Sequence, residues 1–157
     1  MTADGGTGRS RPSALIVEDD DLTAHLLQLL LRTEGYAVSR AATGQGAKAY
    51  ISRSRPLDLV TLDGRLPDVS GPDVLDFLRS TSGWEDVPVL MVTGSSIDEQ
   101  DLARAFEWND VTYLSKPFTP PDLTEVVKRL SARRALPSYR RPRAATATTQ
   151  GEQPWHR

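Results

Sequence analysis

The stretch LDLVTLDGRLPDVSG, residues 57–71, decides the fold. An apolar run, Leu57–Leu62, ends in a carboxylate at Asp63, and a short Gly-Arg-Leu-Pro loop leads to Gly71–Pro72. There a segment begins with Val74, Phe77 and Leu78 at helical spacing, and Pro suits the first turn of a helix. A strand that is apolar at nearly every position is covered on both faces, so helices must lie above and below its sheet.

The same strand-then-helix alternation recurs on either side. Short β-branched runs stand at Ala14–Val17, Ala37–Arg40, Val87–Val92 and Val111–Leu114. The segment after the first places Leu22, Leu26, Leu29 and Leu30 on one face, with Asp20 or Asp21 as N-cap and Gly35 as the stop. Ala47, Tyr50 and Ile51 follow the second run, Leu102, Ala105 and Phe106 the fourth, and Leu123, Val126, Val127 and Leu130 the fifth, which is entered through Pro120–Pro121. Strict alternation with right-handed crossovers predicts a flavodoxin-like (βα)5 fold: one α/β domain, a doubly wound parallel sheet of order 2-1-3-4-5, with ligands at the carboxyl ends of the strands.

The chain has 157 residues, no cysteine and a formal net charge of −2. That length suits a single ordinary domain, and the missing thiols exclude disulfide frameworks, Cys-ligated zinc and thiolate nucleophiles. No stretch approaches the ~18 apolar residues of a spanning helix, and residues 1–12 lack an apolar signal core; the expectation is a cytoplasmic protein without membrane association. The charge is uneven. Residues 14–130 hold 11 basic and 19 acidic residues, whereas 131–157 hold 6 Arg and 1 Glu. Residues 1–12 and 134–157 lack periodicity and are expected to be disordered, leaving 13–133 as the folded domain.

If the predicted order holds, residues distant in sequence meet on one rim: Glu18 and Asp19 after the first strand, Asp63 after the third, Thr93 after the fourth and Lys116 after the fifth. Two like charges ~4 Å apart cost about 4 kcal/mol at an effective dielectric of 20, so carboxylates so gathered call for a cation. Carboxylates and waters suit magnesium, and without Cys or a nearby His the softer metals are disfavoured. A carboxylate held beside such a cation and a lysine can attack phosphorus and form an acyl phosphate, and Asp63 is the candidate. Lys116 precedes Pro117, where a cis peptide would aim the side chain inward at little cost. Asp20 and Asp21 are read as caps or solvated groups.

These residues, in this order, resemble the receiver domain of two-component response regulators. The matching stretches are LIVEDD (15–20), DLVTLDGRLPDVSG (58–71), VPVLMVTG (87–94) and YLSKPF (113–118). The resemblance implies that Asp63 is the phosphoacceptor and that Glu18 and Asp19 form the acidic pair. Asp19, Asp63 and the Arg65 backbone carbonyl would ligate Mg2+, Thr93 would be the switch hydroxyl, Tyr113 the switch aromatic and Lys116 the conserved-type lysine. It also implies a signalling module rather than an enzyme, phosphorylated by a sensor histidine kinase or a phosphotransfer protein. Phosphorylation adds charge and acceptor oxygens that draw Thr93 inward, vacating space for the Tyr113 ring and altering the face of the fourth helix, fifth strand and fifth helix. Asn109–Asp110 replaces a more usual Gly-Ala, and Arg65 and Ser95 occupy positions that tune dephosphorylation. With about 24 residues after the domain, no DNA-binding domain is expected, and the output is a protein contact, a homodimer included.

Other readings compete. Gly44-Gln45-Gly46-Ala47-Lys48-Ala49 reads G-x-G-x-x-A, but it follows a polar strand instead of the first apolar one, which weighs against dinucleotide binding. An aspartyl-nucleophile phosphatase would need an acid two residues after Asp63, where Arg65 stands. A receiver-shaped scaffold that is never phosphorylated is the remaining alternative, opposed by the completeness of the rim set. The Arg-rich tail is read as a linker or partner-docking segment in preference to a nucleic-acid arm. His25 falls opposite the leucines by spacing, His156 lies in the tail, and Trp84, Trp108 and Trp155 serve packing or partner contacts.

Overall fold

The computed structural model describes residues 10–94, 98–108 and 110–135. Five strands, β1 (Ser13–Val17), β2 (Ala37–Ala41), β3 (Leu59–Asp63), β4 (Val89–Thr93) and β5 (Val111–Ser115), alternate with five helices. These are α1 (Asp21–Thr33), α2 (Gly44–Arg53), α3 (Gly71–Arg79), α4 (Glu99–Phe106) and α5 (Pro120–Ala135). All strand pairs are parallel, in the order β2-β1-β3-β4-β5, so the expected flavodoxin-like topology is the one observed.

Period-two alternation divides the core between the two faces of the sheet. Leu15, Val17, Val60, Leu62 and Met91 pack with Ala47 and Ile51 of α2, Val74, Leu75 and Leu78 of α3, and Ala105 of α4. Ala14, Ile16, Leu59, Leu90 and Val92 pack with Ala24, Leu27 and Leu31 of α1 and with Leu123, Val127 and Leu130 of α5. Side-chain oxygens of Asp20, Thr43, Ser70 and Asp98 accept backbone N–H bonds at the starts of α1 to α4, and Gly35, at φ 95°, follows the end of α1.

One helix face differs from expectation. In α1 the buried stripe is Ala24, Leu27 and Leu31, while Leu22 and Leu29 are 81% and 63% exposed. Leucines occur all round this helix, so spacing alone did not single out the stripe that the sheet takes. His25 therefore lies beside Leu22, Leu26 and Leu29, not opposite them. Phe106, expected on the inner face of α4, is also exposed.

At the amino ends of the strands, buried Arg79 donates to the carbonyls of Trp84 (3.3 Å), Val87 (2.7 Å) and Asp110 (3.4 Å). Trp84 is fully buried and Trp108 partly so, which makes both packing residues. The left-handed residue before β5 is Asp110, at φ 60°; Asn109 lies outside the described residues.

Candidate functional site

The sheet's register assembles the rim. Val17 pairs with Leu62 and Asp63 with Val92, so Glu18, Asp63 and Thr93 emerge side by side at the carboxyl ends of three adjacent strands. Thr93 pairs with Ser115, and the Thr93 carbonyl accepts the Lys116 amide at 2.7 Å, which brings the lysine to the same edge. Carboxylate oxygens of Glu18, Asp19 and Asp63 lie within 4.8 Å of one another. Lys116 Nζ donates to Glu18 Oε2 at 3.1 Å and to Asp63 Oδ2 at 3.2 Å, and the Lys116–Pro117 peptide is cis.

Burial and charge act together here. Glu18 is buried, and its carboxyl is pushed up to about 7, first by loss of water and then by the neighbouring Asp63 charge. The Lys116 ammonium and the Asp20 amide, 3.2 Å from Glu18 Oε1, pull the other way without cancelling the rise. Burial of Lys116 opposes its charge, but Asp63 and Glu18 together outweigh that and raise its pKa. One ammonium facing three carboxyl groups leaves room for further positive charge, and an all-oxygen donor set fits a hard divalent cation such as Mg2+.

The loop between β3 and α3 is tightly held. The Arg65 amide donates to Asp63 Oδ1 at 3.1 Å, Arg65 bridges to Ser70, and the Gly71 amide reaches the Gly64 carbonyl at 3.0 Å. A Cβ on Gly71 would run into the Asp63 carbonyl oxygen and sit 2.8 Å from Gly64 Cα, so glycine is required by proximity. Asp68 on the same loop accepts the Gly44 and Gln45 amides, each at 2.8 Å. Those are the amides that a G-x-G-x-x-A phosphate cradle would offer, and a carboxylate already fills them.

All five expected rim residues therefore gather on one edge: Glu18, Asp19 and Asp63 bring carboxylate oxygens within 4.8 Å of one another, Lys116 bonds Glu18 and Asp63, and Thr93 stands at the adjoining strand end. Thr93 and Asp63 are largely buried, whereas Asp19 is exposed. Tyr113 lies further back on β5, opposite Met91, and Ser95 falls outside the described residues. Sequence reasoning missed Arg40, whose guanidinium reaches the Glu18 and Asp19 carbonyls, and Asp68. A charged residue near the end of a strand beside the acidic loop was the available signal for the first.

A family model for the response regulator receiver domain matches residues 14–128. The chain is 39% identical over 120 residues to the transcriptional regulatory protein TcrX of Mycobacterium tuberculosis, covering 76% of this chain and 48% of that one. It is 37% identical over 118 residues to the DNA-binding response regulator MtrA of Mycolicibacterium smegmatis, covering 75% and 50%. The chain thus spans about half the length of the curated relatives it matches, and the part that aligns is the receiver. Among solved structures, a response regulator from Chloroflexus aurantiacus superposes with a TM-score of 0.69 at 35% identity, covering 78% of this chain and 99% of that one. The receiver domain of the sensor histidine kinase PA1611 from Pseudomonas aeruginosa, with magnesium coordinated in its active-site cleft, gives 0.67 at 26% identity, covering 78% and 99%. Among the described residues no helix is long and apolar enough to cross a membrane. Fold, rim and relatives agree: the chain belongs to the receiver domain family of two-component response regulators, whose members act as signalling modules.

Proposed function

We propose that residues 13–133 form a phosphoacceptor unit in which Asp63 receives a phosphoryl group from the phosphohistidine of a sensor kinase or phosphotransfer protein. An Asp63 carboxylate oxygen attacks phosphorus, the phosphorus–nitrogen bond of the donor breaks, and the electron pair stays on the departing imidazole. Asp19, Asp63 and the Arg65 carbonyl would hold Mg2+, with Glu18 beside them; the ion supplies charge neutralisation for the transferring group. Lys116 contacts one phosphoryl oxygen and the Thr93 hydroxyl another. The observation that carries this reading is the shared ammonium of Lys116, in contact with both Glu18 and Asp63 beside a third carboxylate.

The donor docks across α1. Leu22 and Leu26 belong both to the exposed apolar face with His25 and Leu29 and to the depression lined by Gly94, Lys116, Pro117 and Phe118. A protein that delivers phosphate to Asp63 has to sit on this rim. The signal leaves through α4, β5 and α5 to a protein partner, a second copy of the chain included, and the setting is cytoplasmic.

Incubation of the chain with acetyl phosphate and Mg2+, followed by intact-mass measurement, should show one added phosphoryl group. Asp63→Asn and omission of Mg2+ should each abolish it. No mass gain in the parent would replace this reading with that of a scaffold that binds partners unphosphorylated.

A further inference from the structure

We propose that Arg40, on the edge strand β2, is a positioning residue for the divalent-cation site, fixing the backbone that carries Glu18 and Asp19; this rests on the metal assignment of the preceding subsection. The Arg40 guanidinium donates to the Glu18 carbonyl from Nε at 3.1 Å and from Nη2 at 3.0 Å. Nη2 also reaches the Asp19 carbonyl at 3.3 Å, and Nη1 bonds Asp21 Oδ1 at 2.8 Å.

The need for such a group follows from where the ladder stops. The last paired residues of β1 and β2 are Val17 and Ala41, and the Glu18 amide is the final rung, donating to the Ala41 carbonyl at 3.1 Å. Past that rung, Glu18 and Asp19 have no further strand pairing among the described residues. The forked guanidinium extends the ladder by one step with a side chain, and its planar, multi-donor geometry spans two successive carbonyls as an ammonium does not. Glu18 is then held twice, at its backbone by Arg40 and at its carboxylate by Lys116. With Asp21 anchoring the outer end of the guanidinium, the two acidic residues present their oxygens from a fixed loop. Groups that orient metal ligands in this way are commonly worth about 10- to 100-fold in metal affinity.

Charge and position make opposite forecasts for Arg40, which allows them to be separated. A cation beside a cation site opposes metal binding, so if Arg40 acted by charge alone, its neutralisation would tighten Mg2+ binding. If it acts by position, neutralisation weakens binding, and so does a lysine that keeps the charge but loses the fork.

The test is calorimetric titration of the full chain with MgCl2, comparing the parent with Arg40→Gln and Arg40→Lys, and recording the Tm of each without Mg2+. Arg40→Gln is expected to weaken Mg2+ binding about tenfold and Arg40→Lys by a smaller but clear factor, with both variants still cooperatively folded. Tighter or equal binding in Arg40→Gln overturns the proposal. Should that variant fail to fold, Arg40→Lys decides alone: affinity within about twofold of the parent overturns it. Asp19→Asn separates the two levels of inference, because a parent that binds no Mg2+, or an Asp19→Asn variant that binds it undiminished, overturns the metal assignment and this proposal with it.

Discussion

The ring of Tyr113 lies against that of Phe106, centroids 4.5 Å apart and tilted by 35°, and its hydroxyl is buried without a hydrogen-bond partner among the described residues. A buried, unpaired polar group costs about 1–3 kcal/mol. Tyr113→Phe should therefore leave stability unchanged or raise it, by up to about 1 kcal/mol, in guanidinium unfolding. Burial pushes the phenol up to about 12, whereas an unfolded tyrosine ionises near 10. The folded chain thus keeps a proton that the unfolded chain releases, so the stability tied to this group is intact below ~10 and drains away as pH climbs towards 12. Absorbance titration at about 295 nm, parent minus Tyr113→Phe, should place the missing transition above pH ~11; a midpoint near 10 would contradict the burial argument.

Gly71→Ala should be among the most damaging single-methyl changes in the chain. The added carbon meets main-chain atoms of Asp63 and Gly64, which cannot swing aside as a flexible side chain could. Overpacking of this kind costs about 1–3 kcal/mol, and here it displaces the backbone of Asp63, the proposed acceptor. Urea unfolding should register the loss, and the rate of phosphorylation by acetyl phosphate should fall in the fraction that remains folded.

Asp68→Ala should lower the Tm, because it strips the Gly44 and Gln45 amides of their acceptor and frees the loop after β3. Those two amides hold the Asp68 carboxyl below the ordinary carboxylate range. Its contribution is consequently present above the unfolded value near 4 and disappears as pH drops through the lower folded one. The parent and Asp68→Ala should converge in stability in strong acid and diverge at neutral pH.

Arg104→Ala should loosen α4 from α3. Its guanidinium bonds Asp73 at 2.9 Å and Asp76 at 2.6 Å across the helix interface and Asp101 at 3.2 Å on its own helix, while the Trp108 indole also donates to Asp76 at 2.6 Å. These side chains are roughly two-fifths exposed, so each pair is worth only about 0.2–1 kcal/mol and is screened by salt. The variant should unfold earlier at low ionic strength and approach the parent at high salt. Faster hydrogen exchange confined to α4 would show where the restraint acted.

The architecture was legible because three of the strands, β1, β3 and β4, are too apolar to be anything but central, and their carboxyl ends carry the Glu-Asp, Asp and Thr that the topology brings to the same rim as Lys116. Helix α1 was not legible, because a helix with leucine on every side carries no phase; the sheet sets it by taking Ala24, Leu27 and Leu31. Arg40 and Asp68 escaped notice for a different reason. Each acts on main-chain atoms, and a backbone carbonyl or amide has no identity in a sequence.

Lys116 joins Glu18 across 98 positions of chain and Asp63 across 53. During synthesis the acidic loops emerge long before their counter-ion does, and a nascent chain that ends before β5 holds the carboxylates with no lysine to quiet them. The proposed acceptor site is therefore complete only once β5 has docked against β4 and carried Lys116 to the rim.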